Sequence, residues 1–269
     1  LFERTTPLKL TPAGYYLFKN GRSILRFQSL LESGMHSIRE NGNTMLSIGI
    51  ILNRATVIIQ KTIPLFQKMH PDVNIRVVEM PDTDLSSVLR SEPIDLLICY
   101  QLNSATTSFV PLYEEQYYLC ISNSLLENRF SCEERDAILS APSAQISDFV
   151  RCPFLSTRYT DFLTSIFKKC CEDNNAVPQI TVETSSIMTR LSLCASGLGV
   201  MFLSKSLYQQ ATSIFQQEIL DAIRFIPLSY QPEPIYRQLG INYLTQRGLT
   251  PVEQSFIDTA KKALTSDPP

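Results

Sequence analysis

The chain has 269 residues, 44% hydrophobic and 19% charged, with 24 Lys and Arg against 26 Asp and Glu for a formal charge of −2. This is the composition of an ordinary globular protein with one or two cores, and it excludes a disordered, fibrous or nucleic-acid-coating chain. No stretch approaches the ~18 apolar residues of a membrane span and the start lacks a basic-then-apolar leader, so a cytoplasmic protein without a membrane partner is expected.

Charge is unevenly spread. Residues 1–40 hold Arg4, Lys9, Lys19, Arg22, Arg26 and Arg39 against Glu3, Glu32 and Glu40, a basic arm on an acidic body, as a division between DNA contact and ligand sensing would produce. The chain opens Leu1-Phe2-Glu3-Arg4, passes a short polar tip, and continues Leu10-Thr11-Pro12-Ala13-Gly14. Thr11 is placed to cap a helix and Pro12 to begin it. That helix is expected to run to about Arg39, with Leu17, Ile24, Leu31 and Ile38 recurring every seven residues as a short seam for a partner helix. Packing on its own domain is the alternative. Asn41-Gly42-Asn43 breaks the helix and marks a domain boundary.

The next elements alternate. A strand from Met45 to Ile51, a helix from about Arg54 to His70 kinked by Pro64, a strand at Val73–Val78, a helix from Pro81 to Ser91 and a strand from Ile94 to Cys99 predict a parallel sheet with helices on its faces. Phe109 to Ser122 reads as one or two strands around Pro111. Strands at Cys152–Leu155, Gln179–Glu183 and Gly199–Leu203 then alternate with helices at Thr160–Asp173 and Ser185–Ser196. A polar helix-prone stretch (Lys205–Asp221), strands at Ile223–Leu228 and Gln238–Thr245, and an amphipathic helix from Pro251 to Leu264 close the chain. Two α/β units joined by crossing strands imply a cleft between two subdomains.

The segment Leu1 to Gly14 resembles the wing and wing-to-helix junction of LysR-type transcriptional regulators. Phe66-x-x-x-x-Pro71-x-Val73, then Ile94-Asp95-Leu96-Leu97-Ile98, is similar to the family's first effector-subdomain signature. Ala195-Ser196-Gly197-Leu198-Gly199-Val200 resembles its Gly-x-Gly turn before a strand, and Gly197 also reads simply as a helix C-cap. The Pro that commonly follows that strand is replaced by Ser204-Lys205. The resemblance implies an α/β fold: a two-subdomain, periplasmic-binding-protein-like effector domain preceded by a wing remnant (1–14) and a long linker or dimerisation helix (15–40). Subdomain I would comprise 41–120 and 236–269, and subdomain II 121–235. It also implies a homodimer or homotetramer, with DNA as a partner of the intact family member.

No nucleophile elbow, phosphate-binding loop or dinucleotide fingerprint is present, and no catalytic residue is assigned. The carboxylate pairs Glu133-Glu134 and Asp82-x-Asp84 read as solvated surface. Seven scattered Cys without a Cys-x-x-Cys pair, and only His36 and His70, point to inert thiols and to no metal site or cofactor. Loops at the carboxyl ends of strands are better candidates, because ligands in open α/β sheets sit there. These loops offer Asn53, Arg54 and Thr56, then Tyr100 and Gln101, then Ser156, Thr157 and Arg158, then Thr184 and Ser185. Asn53 and Ser185 also fit as helix caps, and Arg54 and Arg158 as surface charges. Together they suggest a small polar or anionic effector.

The expected function is therefore a LysR-type regulator responding to a small-molecule effector, in a chain missing its DNA-recognition helices. Arg4 and Lys9 of the wing could touch DNA phosphates, which position without specifying sequence, so weak, salt-sensitive DNA binding is expected. The alternatives are a headless ligand-binding or oligomerisation protein and a solute-binding protein of similar two-lobed fold.

Overall fold

A computed structural model describes residues 1–3, 7–18, 20–21, 24, 28, 44–82, 84–157, 162–230 and 233–266. Arg4, Leu31, Ile38, Arg158 and the break at Asn41-Gly42-Asn43 lie outside the described residues. At the start, β1 (Phe2–Glu3) and β2 (Lys9–Leu10) form a small antiparallel hairpin with Phe2 opposite Leu10. Thr11 Oγ1 accepts the Gly14 N–H at 3.1 Å, the expected cap, and residues 12–18 form helix α1. Leu17 and Ile24 are exposed, at 53% and 69%.

The first lobe is built on β3 (Thr44–Ile51), α2 (Ala55–Met69), β4 (Val73–Met80), α3 (Leu85–Ser91) and β5 (Leu96–Tyr100). β3 lies between β4 and β5 and is parallel to both, so both of its edges are hydrogen-bonded, and residues 46–50 are all buried, as in parallel sheets covered on both faces. α2 runs through Pro64 as one helix. The helix expected from Pro81 begins only at Leu85, because Asp84 at its N-cap adopts φ +49; Pro81 and Asp82 are thereby left in a loop. Asp95 of the Ile94–Ile98 run has a structural role: its carboxylate accepts the Ser47 N–H at 2.8 Å and pairs with Arg247 at 3.1 Å.

β6 (Thr107–Ser122) is a single strand of 16 residues, passing through Pro111. The second lobe follows with α4 (Asn123–Arg129), α5 (Cys132–Ser140), β7 (Ala144–Gln145), β8 (Phe154–Ser156), α6 (Phe162–Asp173), β9 (Ile180–Glu183), α7 (Ile187–Ala195), β10 (Met201–Ser204), α8 (Lys205–Ile214) and α9 (Gln217–Asp221). β11 (Ile223–Tyr230), β12 (Glu233–Pro234), β13 (Tyr236–Leu244) and α10 (Pro251–Ser266) complete the chain. α4 and α5 were not foreseen in the sequence. α7 ends as expected at Gly197, where φ is +79 and a side chain would be strained. The Leu198 N–H bonds to the Leu193 carbonyl and the Gly197 N–H to that of Cys194, a Schellman closure.

The main sheet is mixed rather than parallel. β13 runs antiparallel to both β5 and β6, so the parallel core of the first lobe is edged by the strands that join the lobes. The first ten residues of β6 pair with β13, and residues 117–122 are flanked by β10 along one edge and β11 along the other. Each lobe has its own aromatic packing. Phe66 of α2 meets Phe256 of α10 edge-on at 5.3 Å, and Phe154 lies 4.3 Å from Phe167 and 5.0 Å from Phe202 between ring centroids.

Candidate functional site

The chain turns sharply at the end of β3. Leu52 N–H reaches the Met80 carbonyl at 2.8 Å, and Asn53 takes a left-handed φ of +66, a conformation Asn tolerates better than most residues. Asn53 is therefore the turn residue, and the N-cap of α2 is Arg54. Across the gap, Ser186 caps α7 by accepting the Thr189 N–H at 3.2 Å, which leaves Ser185 exposed in the loop. Asn242, fully buried on β13, accepts the Leu102 N–H and donates to the Tyr100 carbonyl at 3.1 Å. It thereby fixes the end of β5.

These loops enclose a cavity of roughly 130 Å³ whose walls include Asn53, Arg54, Tyr100, Thr157 and Ser185 among the expected residues. Four others are not part of its wall. Thr56 donates to Gln210 at 3.0 Å, Ser156 is buried and donates to the Thr157 carbonyl at 3.2 Å, Thr184 accepts the Ser186 N–H, and Gln101 is exposed. The cavity is also lined by Tyr117, Phe162, Arg190 and Arg237, which no sequence pattern singled out, by Asp82, expected at the surface, and by Ile187, Phe202 and Leu207 as apolar wall.

Arg54 is turned inward. Its Nη2 donates to Glu115 at 2.7 Å and to the Tyr100 hydroxyl at 3.0 Å, and the Arg54 and Glu115 side chains are 7% and 0% exposed. The Tyr100 hydroxyl donates to the same carboxylate oxygen at 3.0 Å and shares a hydrogen bond of 2.5 Å with the Tyr117 hydroxyl, while Ser206 donates to the other oxygen. Arg54 and Tyr100 come from the first lobe, Glu115 and Tyr117 from β6, and Ser206 from α8, so this buried network spans the junction. Burial disfavours the Arg54 charge, yet the Coulombic attraction of Glu115 and the surrounding phenols holds its pKa well above the ordinary arginine value. Burial likewise pushes the Tyr100 and Tyr117 phenols up.

Asp82 departs from the solvated surface expected for Asp82-x-Asp84. It pairs with Arg237 at 3.5 Å, with side chains 28% and 23% exposed. The Arg237 guanidinium lies 3.4 Å from the centroid of the Tyr100 ring and 4.5 Å from that of Phe162. Phe162 begins α6 of the second lobe, so rings from the two lobes hold one cation. Arg237 also stands directly opposite Glu115 in the β6–β13 register. Glu134, by contrast, does lie at the surface, in a capping box with Ser131 and 2.8 Å from Arg151.

Of the cysteines, only Cys132 is exposed. Burial raises the other thiols, Cys152 to about 11 and Cys194 to about 12. Among the described residues no group of three or more His, Cys, Asp or Glu could hold a metal ion, and no helix is long and apolar enough to cross a membrane.

Two α/β lobes joined by crossing strands, with a cavity of charged, phenolic and apolar side chains between strand-end loops, define a periplasmic-binding-protein-like ligand-binding domain. Residues 39–265 match the model of the LysR substrate binding domain, and the chain belongs to that family. It is 21% identical over 275 residues to the uncharacterized HTH-type transcriptional regulator YcgK of Bacillus subtilis (strain 168), covering 98% of this chain and 81% of that protein. Among solved structures, the C-terminal domain of a LysR family regulator from Rhodococcus sp. RHA1 superposes with a TM-score of 0.64 at 17% identity, covering 81% of this chain and 98% of that one. The effector binding domain of QuiR in complex with shikimate gives 0.62 at 14% identity, covering 84% and 99%.

Proposed function

We propose that the chain is the sensing part of a LysR-type transcriptional regulator and that a small polar or anionic effector binds in the cavity between the lobes. The observation that carries this reading is the convergence of three guanidinium groups, Arg54, Arg190 and Arg237, on one cavity. Arg54 is paired with Glu115 behind the wall and Arg237 with Asp82 within it. Shikimate in the similarly folded QuiR domain is a small hydroxylated acid, consistent with such an effector. Effector binding would change the angle between lobes at β6 and β13 and so bias the arrangement of DNA-binding units.

The same reading takes residues 41–120 with 236–269 as one subdomain and 121–235 as the other, with the helix beginning at residue 12 as a pairing element in a cytoplasmic homodimer or homotetramer. The exposed Lys9 of the hairpin would touch DNA phosphate together with Arg4. The site assignment is tested by a thermal-shift screen of the chain against small metabolites. A ligand at a hundred times its Kd contributes ~2.7 kcal/mol, a rise of several degrees. An anionic metabolite producing that rise supports the assignment; a screen in which only cations stabilise the protein would overturn it.

A further inference from the structure

We infer that the effector is a small organic carboxylate with a compact apolar body, whose carboxylate takes the place of Asp82 on Arg237. The inference rests on the cleft being the effector site and goes on to name the ligand's chemistry. Arg237 is placed as a receptor for a planar anion. The Tyr100 and Phe162 rings occupy positions over the guanidinium at 3.4 and 4.5 Å, and a guanidinium donates through its N–H edge, where a carboxylate can accept two parallel bonds. Among the described residues, that edge is met by Asp82, at 3.5 Å. This is well beyond the ~2.7–2.9 Å of a charge-assisted hydrogen bond. An internal carboxylate thus stands where an external one would bind, but at suboptimal distance.

The remaining walls set the rest of the molecule. Ile187, Phe202 and Leu207 are each under a tenth exposed and give the same cavity an apolar wall. The cavity of roughly 130 Å³ is close to the ~150 Å³ engineered cavity that admits benzene, which suits a body of a few carbons or one ring. Arg190, buried at 6% exposure, lines the same wall. Displacing Asp82 would also release the loop before α3 from β13, which ties occupancy to the junction between lobes.

The test is calorimetry and thermal shift on the 269-residue chain with cyclohexanecarboxylate and butyrate, each beside its neutral amide. The carboxylates should raise Tm at millimolar concentration and the amides should not. Asp82→Asn removes the internal competitor and should tighten carboxylate binding several-fold. Arg237→Gln should weaken it about tenfold or more, as loss of a charge-assisted bond implies. Should Arg237→Gln fail to fold, Asp82→Asn decides alone, and unchanged or weaker binding overturns the inference, as does the absence of any carboxylate shift. Amides that stabilise as well as the acids, and lose the effect when Ser185→Trp blocks the mouth, overturn the carboxylate while leaving the cleft. Stabilisation that survives Ser185→Trp overturns the cleft itself.

Discussion

Glu115 is fully buried and tied to Arg54, Tyr100 and Ser206, so removing either member of the ion pair strands a charge in a dry interior. Glu115→Ala is expected to lose ~3–5 kcal/mol of stability, measured as a shift in denaturant midpoint. The pair need not stabilise relative to an apolar one, and Arg54→Met combined with Glu115→Leu should lose much less than the single substitution. A double variant as unstable as the sum of its parts would contradict this account of the junction. The thiols give a second check. With six of seven cysteines buried and Cys152 and Cys194 raised to about 11 and 12, iodoacetamide at pH 8 should label Cys132 first, and the others only on unfolding. Rapid labelling of Cys194 in the native protein would refute its burial. At this scale the sequence was least informative. Arg54 was legible as a cation at a strand end, but its inward turn depends on Glu115, distant in sequence. Arg237 finds Asp82 across 155 positions, and no local pattern signals such a pair.

Elements were far more legible, because periodicity and punctuation are local. The Val73–Met80 strand, α7 with its Gly197 stop, and α10 all lie within a few residues of where alternation, caps and breakers put them. The misses have identifiable causes. The Pro81 start looked like a helix N-terminus, but the left-handed Asp84 delays the helix and frees Asp82 for the cavity. Pro111 suggested an interruption in β6, yet the strand continues because the register shifts at Leu239/Gly240, opposite Pro111. Gly240 is the tight point of the crossing. A Cβ there would meet the Val110 carbonyl oxygen at 2.3 Å and the Phe109 ring at 2.6 Å. Gly240→Ala should therefore destabilise the chain by ~1–3 kcal/mol through overpacking, a fall of several degrees in Tm. An unchanged Tm would mean that the two crossing strands separate readily.

For the whole molecule, the two-lobed fold followed from the repeated strand-helix alternation, whereas the mixed sheet did not, since strand order is set by pairing between distant segments. The buried thiols and phenols make a collective prediction. Cys99, Cys120, Cys194, Tyr100 and Tyr117 all have folded values raised by burial. Such groups contribute fully below their unfolded values, near 9 for Cys and 10 for Tyr, and that contribution is lost as pH rises toward the folded ones. Stability should thus decline steadily above about pH 9, seen as a falling denaturant midpoint; a midpoint rising there would contradict the burial. Whether ligand is held between the lobes is read most directly by hydrogen exchange with a stabilising metabolite. Exchange should slow at residues 51–54, 156–157 and 185–190 together, from both lobes, with the outer groove beside Phe130 and Arg151 unchanged. Protection confined to one lobe, or centred on that groove, would contradict a site between the lobes.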